Sequence, residues 1–188
     1  MSATAPFIPT GAGSRPVRVA PVDEVALEAR AAVLCTRSIK ATSKRAALHL
    51  AIRCIDLTTL EGADTPDKVA SLCQKAVRPD PSDPGIPSVA AVCVYPEMVG
   101  HAVDAVAGTG VAVASVAGAF PAGMSAIDVR TADIADAVRR GADEIDIVLN
   151  RSAFLAGDLG RAHDEIATAK EACGPAHLKV ILETGELG

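Results

Sequence analysis

The chain has 188 residues, 49% of them apolar and 22% charged, which suits one soluble globular domain with a sizeable core. Its formal net charge of -5 is spread along the sequence, which argues against nucleic acid or an anionic membrane surface as a partner. No apolar run approaches the roughly 20 residues needed to cross a bilayer, and the N-terminus lacks a secretory pattern, so a cytoplasmic protein is expected.

Residues 1–22 carry Pro6, Pro9, Pro16 and Pro21 among Gly, Ser and Ala, and are expected to form a flexible or surface-draped arm. The rest, 23–188, reads as one domain. From Asp23 a helical pattern runs through Val25, Ala26, Ala29, Ala32 and Val33. A second starts at Ser43 and runs through Ala47, Leu50 and Ala51. Beyond them the chain repeats a short β-branched strand, a turn rich in Gly, Pro, Asp or Thr, and an amphipathic helix. The expected strands are 54–57, 89–94, 111–116, 144–149 and 178–183. Thr65 and Pro66 open one intervening helix as N-cap and first residue, and Pro96 opens the next, which ends at Gly108. A third carries Ile127, Ile134 and Val138 and closes at Arg139, Arg140 and Gly141; a fourth spans about 159–173.

Helices between successive strands imply crossover connections and a parallel sheet. Two α/β architectures fit: an open doubly wound sheet, or the first five βα units of a (β/α)8 TIM barrel. Strand chemistry bears on the choice. In the segment 144–149, Ile145, Ile147 and Leu149 share one face while Glu144, Asp146 and Val148 share the other. In the last strand Lys179, Ile181 and Glu183 alternate with Leu178, Val180 and Leu182. Strands covered by helices on both faces are usually apolar throughout, so mid-strand charges need a special environment, which the interior of a barrel near its mouth provides.

Asp56, Cys93, Asp146 and Lys179 are therefore candidates to converge on one site. A desolvated Lys179 could have a lowered pKa and act as a nucleophile or acid/base group. The plainer alternative makes Asp146 and Lys179 a buried ion pair, Asp56 a cap for the Thr58-Thr59 turn, and Cys93 packing. Cys35, Cys54, Cys73, Cys93 and Cys173 show no Cys-x-x-Cys spacing and no nearby histidine pair, so neither a metal site nor a disulfide framework is expected. With no Trp, one Tyr and three Phe, the chain has little to offer as a base-stacking platform.

Five segments, read in order, resemble the deoxyribose-phosphate aldolase family. They are Cys-Ile-Asp-Leu-Thr-Thr-Leu at 54–60, Ala-Ala-Val-Cys-Val-Tyr-Pro at 90–96, Phe-Pro-Ala-Gly at 120–123, Gly-Ala-Asp-Glu-Ile-Asp-Ile-Val at 141–148, and Leu-Lys-Val-Ile-Leu-Glu-Thr-Gly-Glu-Leu at 178–187. The resemblance covers about residues 45–188. It implies a class I aldolase on a (β/α)8 barrel that cleaves 2-deoxy-D-ribose 5-phosphate reversibly into D-glyceraldehyde 3-phosphate and acetaldehyde, without a metal or organic cofactor. It also implies that the Schiff-base lysine of the sixth strand, the second lysine of the seventh and the phosphate-binding loops lie beyond Gly188. Asp146 would match the family's proton-relaying aspartate. Asp56 and Cys93 would line the same pocket, and Lys179 would stand on the fifth strand close to the nucleophile. A phosphorylated sugar is the expected small-molecule partner, and a homodimer is one expected assembly. The competing expectation is an inactive remnant that binds a phosphate ester or pairs with another subunit along an open sheet edge.

Overall fold

The structure is a computed structural model that describes residues 7–8, 17–18 and 21–187. The chain divides into two compact units, Met1–Leu48 and His49–Gly188. In the first, β1 (Phe7–Ile8) pairs antiparallel with β2 (Val17–Arg18). Of the arm expected over residues 1–22, all but 7–8, 17–18 and 21–22 lies outside the described residues. Helix α1 (Glu24–Cys35) follows, its first turn closed by the Asp23 carboxylate, which accepts from the Ala26 N–H. Helix α2 (Ala41–Arg53) starts slightly before the expected Ser43 and spans the division between the units.

The second unit repeats strand and helix. It contains β3 (Asp56–Thr58), α3 (Pro66–Val77), β4 (Ala91–Val94), α4 (Val99–Val106), β5 (Ala112–Val116), α5 (Ile127–Arg139), β6 (Glu144–Val148), α6 (Arg151–Leu155), α7 (Leu159–Cys173) and β7 (His177–Ile181). The strands form one parallel sheet in the order β3-β4-β5-β6-β7. Chain order and spatial order coincide, so the sheet has no point at which the winding reverses. A doubly wound sheet needs such a point and a barrel does not.

Local chemistry sets the boundaries. Thr65 accepts from the Lys68 N–H and Pro66 fills the first turn of α3. A short 3-10 turn, Pro96–Met98, leads into α4. Gly141 ends α5 with φ +106, and a Cβ there would come within 3.1 Å of the Val103 side chain. The first strand begins later than expected, because Cys54 and Ile55 donate their N–H groups back to Ala51 and Ile52 at the end of α2. Val89 is likewise engaged outside the ladder, donating to Ala76 at the end of α3. The last strand stops at Ile181, and Glu183, placed on its face by alternation, instead takes a left-handed φ of 53. The sequence pattern also misses α6, a single turn capped by Asn150.

The strands' two faces differ in kind. Toward the helices, Val92, Val94, Val113, Ile145 and Ile147 pack with Val69, Cys73, Val99, Ile134 and Cys173 into one apolar layer. Each such side chain contributes roughly 1.5–3 kcal/mol by leaving water. On the opposite face the buried apolar groups are fewer and smaller: Ala91, Cys93, Ala114 and Val116, flanked by Leu60, Tyr95 and Phe120.

Candidate active site

The inner face owes its character to side chains that alternate out of the helix-facing core. Asp56 stands on β3, Cys93 on β4, Glu144 and Asp146 on β6, and Lys179 on β7. Register puts Asp146 directly beside Lys179. The Lys179 ammonium lies 2.9 Å from Glu144 Oε2 and 3.1 Å from Asp146 Oδ1, and it donates to Asp56 Oδ2. The structure thus brings together all four residues singled out in the sequence. Glu144 joins them; alternation had already placed it on the inward face, but it had not been counted as a site residue.

The contact between Lys179 and Asp56 shapes the sheet. Their strands are its two edges, and in a flat sheet four strand spacings would separate them by ~19 Å. A lysine side chain cannot bridge that distance, so the sheet must curl until its edges face each other. The inward alanines Ala91, Ala112 and Ala114 of the intervening strands leave the hollow across which Lys179 reaches.

Electrostatics follow from this crowding. Burial alone would push the Lys179 ammonium down, but hydrogen bonds to Asp56, Glu144 and Asp146 outweigh it and hold the group well above its ordinary value. The lowered pKa expected of a desolvated lysine is therefore not what the site produces: Lys179 is a fixed cation. Asp146 moves the other way from a normal salt-bridged acid. Burial raises its pKa, Lys179 opposes that, and Asp56 and Glu144 add to the rise. Its Oδ1 is shielded from solvent and lies 3.1 Å from the Lys179 ammonium, with which it forms an ion pair. Cys93 Sγ is 3.9 Å from Asp146 Oδ2, and its thiol is pushed up to about 12, chiefly by burial and then by the Asp146 charge. A neutral thiol there acts as a small apolar filler rather than a nucleophile.

The carboxylate that ties the Thr58-Thr59 turn is that of Asp64, while Asp56 contributes only its backbone carbonyl, which accepts from the Thr58 hydroxyl. Asp64 accepts from the Thr59 hydroxyl and from the Glu61 N–H, leaving Asp56 to meet Lys179. Beyond the strand ends, Tyr95 and Phe120 meet edge to face, ring centres 6.4 Å apart, over the Cys93, Ala114 and Val116 surface. Among the described residues no helix is long and apolar enough to cross a membrane.

A second polar cluster, which sequence reading missed, lies under the same mouth. Arg130 on α5, only 3% exposed, donates from Nη1 to Glu165 Oε2 on α7 at 2.6 Å and from Nε to the Gly118 carbonyl at 3.2 Å. Glu165 also accepts from Asn150 Nδ2 at 3.0 Å and from Arg161 Nε at 2.8 Å. Burial alone would raise the Glu165 pKa, but hydrogen bonds from Arg161, Arg130 and Asn150 hold it below the usual carboxylate range.

Comparison with known proteins places these features in a family. The sequence model of the DeoC/LacD family aldolases matches residues 50–187. The deoxyribose-phosphate aldolase of Homo sapiens is 47% identical over 163 residues, covering 81% of this chain and 51% of that protein. The chain thus spans about half the length of the curated relatives it matches. A solved structure from Coccidioides immitis superposes with a TM-score of 0.64 at 30% identity, covering 74% of this chain and 52% of that one. For the deoxyribose phosphate aldolase of Aeropyrum pernix, described as a unique tetrameric structure, the values are 0.56, 26%, 73% and 54%.

Proposed function

This chain belongs to the DeoC/LacD family of aldolases, its five parallel strands being strands of that family's (β/α)8 barrel, and from that premise we propose that it carries the acid/base half of a deoxyribose-phosphate aldolase site. The reaction is the reversible cleavage of 2-deoxy-D-ribose 5-phosphate into D-glyceraldehyde 3-phosphate and acetaldehyde. Within the domain read over residues 23–188, the unit His49–Gly188 supplies the barrel strands. Five free cysteines suit a reducing compartment, the cytoplasm.

The observation that carries this reading is Asp146, a half-buried carboxylate of raised pKa, paired at 3.1 Å with the Lys179 ammonium and facing the hollow of a curled parallel sheet. An acid held in that condition can take and return a proton during carbon-carbon bond cleavage, since its two protonation states are closer in free energy than those of a solvated aspartate. Lys179 is the cation that stabilises the ionised form, while Asp56 and Glu144 keep that cation in place and protonated. Asp56 and Cys93 line the substrate pocket. Lys179 is not the amine that forms the Schiff base, because only an unprotonated amine attacks a carbonyl and Lys179 is held as an ammonium.

A chimera tests this. Residues 1–188 joined to the remaining half of the human relative are expected to cleave 2-deoxyribose 5-phosphate, and Asp146→Asn in that chimera is expected to lower kcat by about 10²–10⁴-fold. An unchanged kcat would remove Asp146 from the mechanism. Borohydride reduction of the 188-residue chain with acetaldehyde is expected to leave Lys179 unmodified; an adduct on Lys179 would contradict the role assigned to it.

A further inference from the structure

The loop that follows β5 runs beside β6 and over Cys93, in a conformation it would not adopt alone. Ala119 has φ +64, a left-handed geometry that is unfavourable for a non-glycine residue. Three of the loop's backbone groups are held from α5. Asp133 Oδ2 accepts from the Gly118 N–H at 2.8 Å and the Ala119 N–H at 3.3 Å, and Arg130 donates to the Gly118 carbonyl. The same loop meets β6 directly, Ala117 N–H donating to the Asp146 carbonyl at 3.0 Å. Three residues on, Phe120 rests on the Cys93, Ala114 and Val116 surface, and Cys93 Sγ in turn lies 3.9 Å from Asp146 Oδ2.

Arg130 does not end at this loop. Through Glu165 it is joined to Asn150, the residue that leaves the end of β6 and caps α6 by accepting from the Ala153 N–H. Two strand-end loops, one after β5 and one after β6, are thus fastened to a single carboxylate on α7. Exchanging a buried ion pair for apolar groups of similar volume is often neutral or stabilising, so net stability is a poor account of why Arg130 and Glu165 are there. Their fixed hydrogen-bond directions supply geometry instead.

We propose that Arg130 and Glu165 are positioning residues for the site: from the helix layer they hold the 117–120 loop and Asn150 so that Phe120 stays closed over Cys93, the neighbour of Asp146. The inference rests on the aldolase reading for what the closed loop serves, namely a dry environment for the proton carried by Asp146. Loosening the clamp admits water to that carboxylate, and burial is the largest cause of its raised pKa.

The test uses the full 188-residue chain with Arg130→Met, and with Asp133→Ala as a milder variant that releases the same loop without unpairing Glu165. Two readouts are taken. Thiol alkylation mapped by mass spectrometry compares Cys93, under the loop, with Cys73, buried in the helix layer on α3. Carboxyl-carbon NMR follows the titration of Asp146. The expected result in at least one variant is about tenfold faster alkylation at Cys93 with Cys73 still protected, and an Asp146 midpoint shifted toward 3.8. The proposal is overturned if Cys93 and Cys73 open together in both variants, which is ordinary destabilisation, or if Cys93 and the Asp146 titration do not move. Neither readout needs turnover, so failure here leaves the aldolase reading intact, and failure of the chimera would leave these rates untouched.

Discussion

Asp146 and Lys179 pull the pH dependence of folding in one direction. Both have folded pKa values above their ordinary ones, 3.8 and 10.5, so each contribution is fully present below the ordinary value and is lost as pH rises through the folded one. For Lys179 the loss begins above pH 10.5, as its carboxylate partners lose their cation. For Asp146 it lies on the acid side: at neutral pH the ionised, desolvated group is a burden on the fold. Asp146→Asn is therefore expected to stabilise the chain at pH near 7 by on the order of 1 kcal/mol, and to flatten the fall in stability that begins above 3.8. Urea midpoints across the pH range check this, and a loss of stability at neutral pH would show that the lysine attraction outweighs desolvation. A substitution that removes activity while strengthening the fold marks a residue kept for chemistry.

At the level of elements, the loop between β5 and α5 is packed to its limit against β6. A Cβ on Gly123, where φ is +66, would stand 2.9 Å from the Val148 carbonyl oxygen, a backbone atom that cannot swing aside. Gly123→Ala is expected to cost at least about 2 kcal/mol in thermal or urea unfolding, whereas Gly157→Ala, also at positive φ but with open space around it, should cost less. These contrasts show what can be read without coordinates. Alternation within a strand is a local rule, so Asp56, Cys93, Asp146 and Lys179 were legible, and the helix caps at Thr65 and Gly141 were equally so. The clamp was not, because Arg130, Asn150 and Glu165 sit on separate elements, and each alone looks like an ordinary polar residue of a helix face or turn. Strand ends escaped for a similar reason: Val89 and Cys54 carry the right side chains but spend their N–H groups on neighbouring helices.

Across the whole second unit, curling brings the two edge strands within reach of each other's side chains. Among the described residues β3 and β7 each have one strand neighbour, and Ile181 on the inner face remains 37% exposed, with Leu182 beyond it at 49%. An apolar parallel edge of this kind invites pairing with another chain. Sedimentation velocity on the 188-residue chain is expected to show mass rising with concentration, and Ile181→Lys is expected to weaken that trend; no change between the two would place any association elsewhere. The salt link from Lys179 to Asp56 joins residues 123 positions apart, across every crossover of the sheet. Such a link cannot assist the early steps of folding, since closing so long a span costs entropy that only finished packing repays. Asp56, Glu144 and Asp146 all precede in the chain the lysine that balances them, so the three carboxylates gain their shared cation only when the fifth strand is in place. Residue 179 is in that sense a latch, tying the last strand of the sheet to charge balance in the hollow.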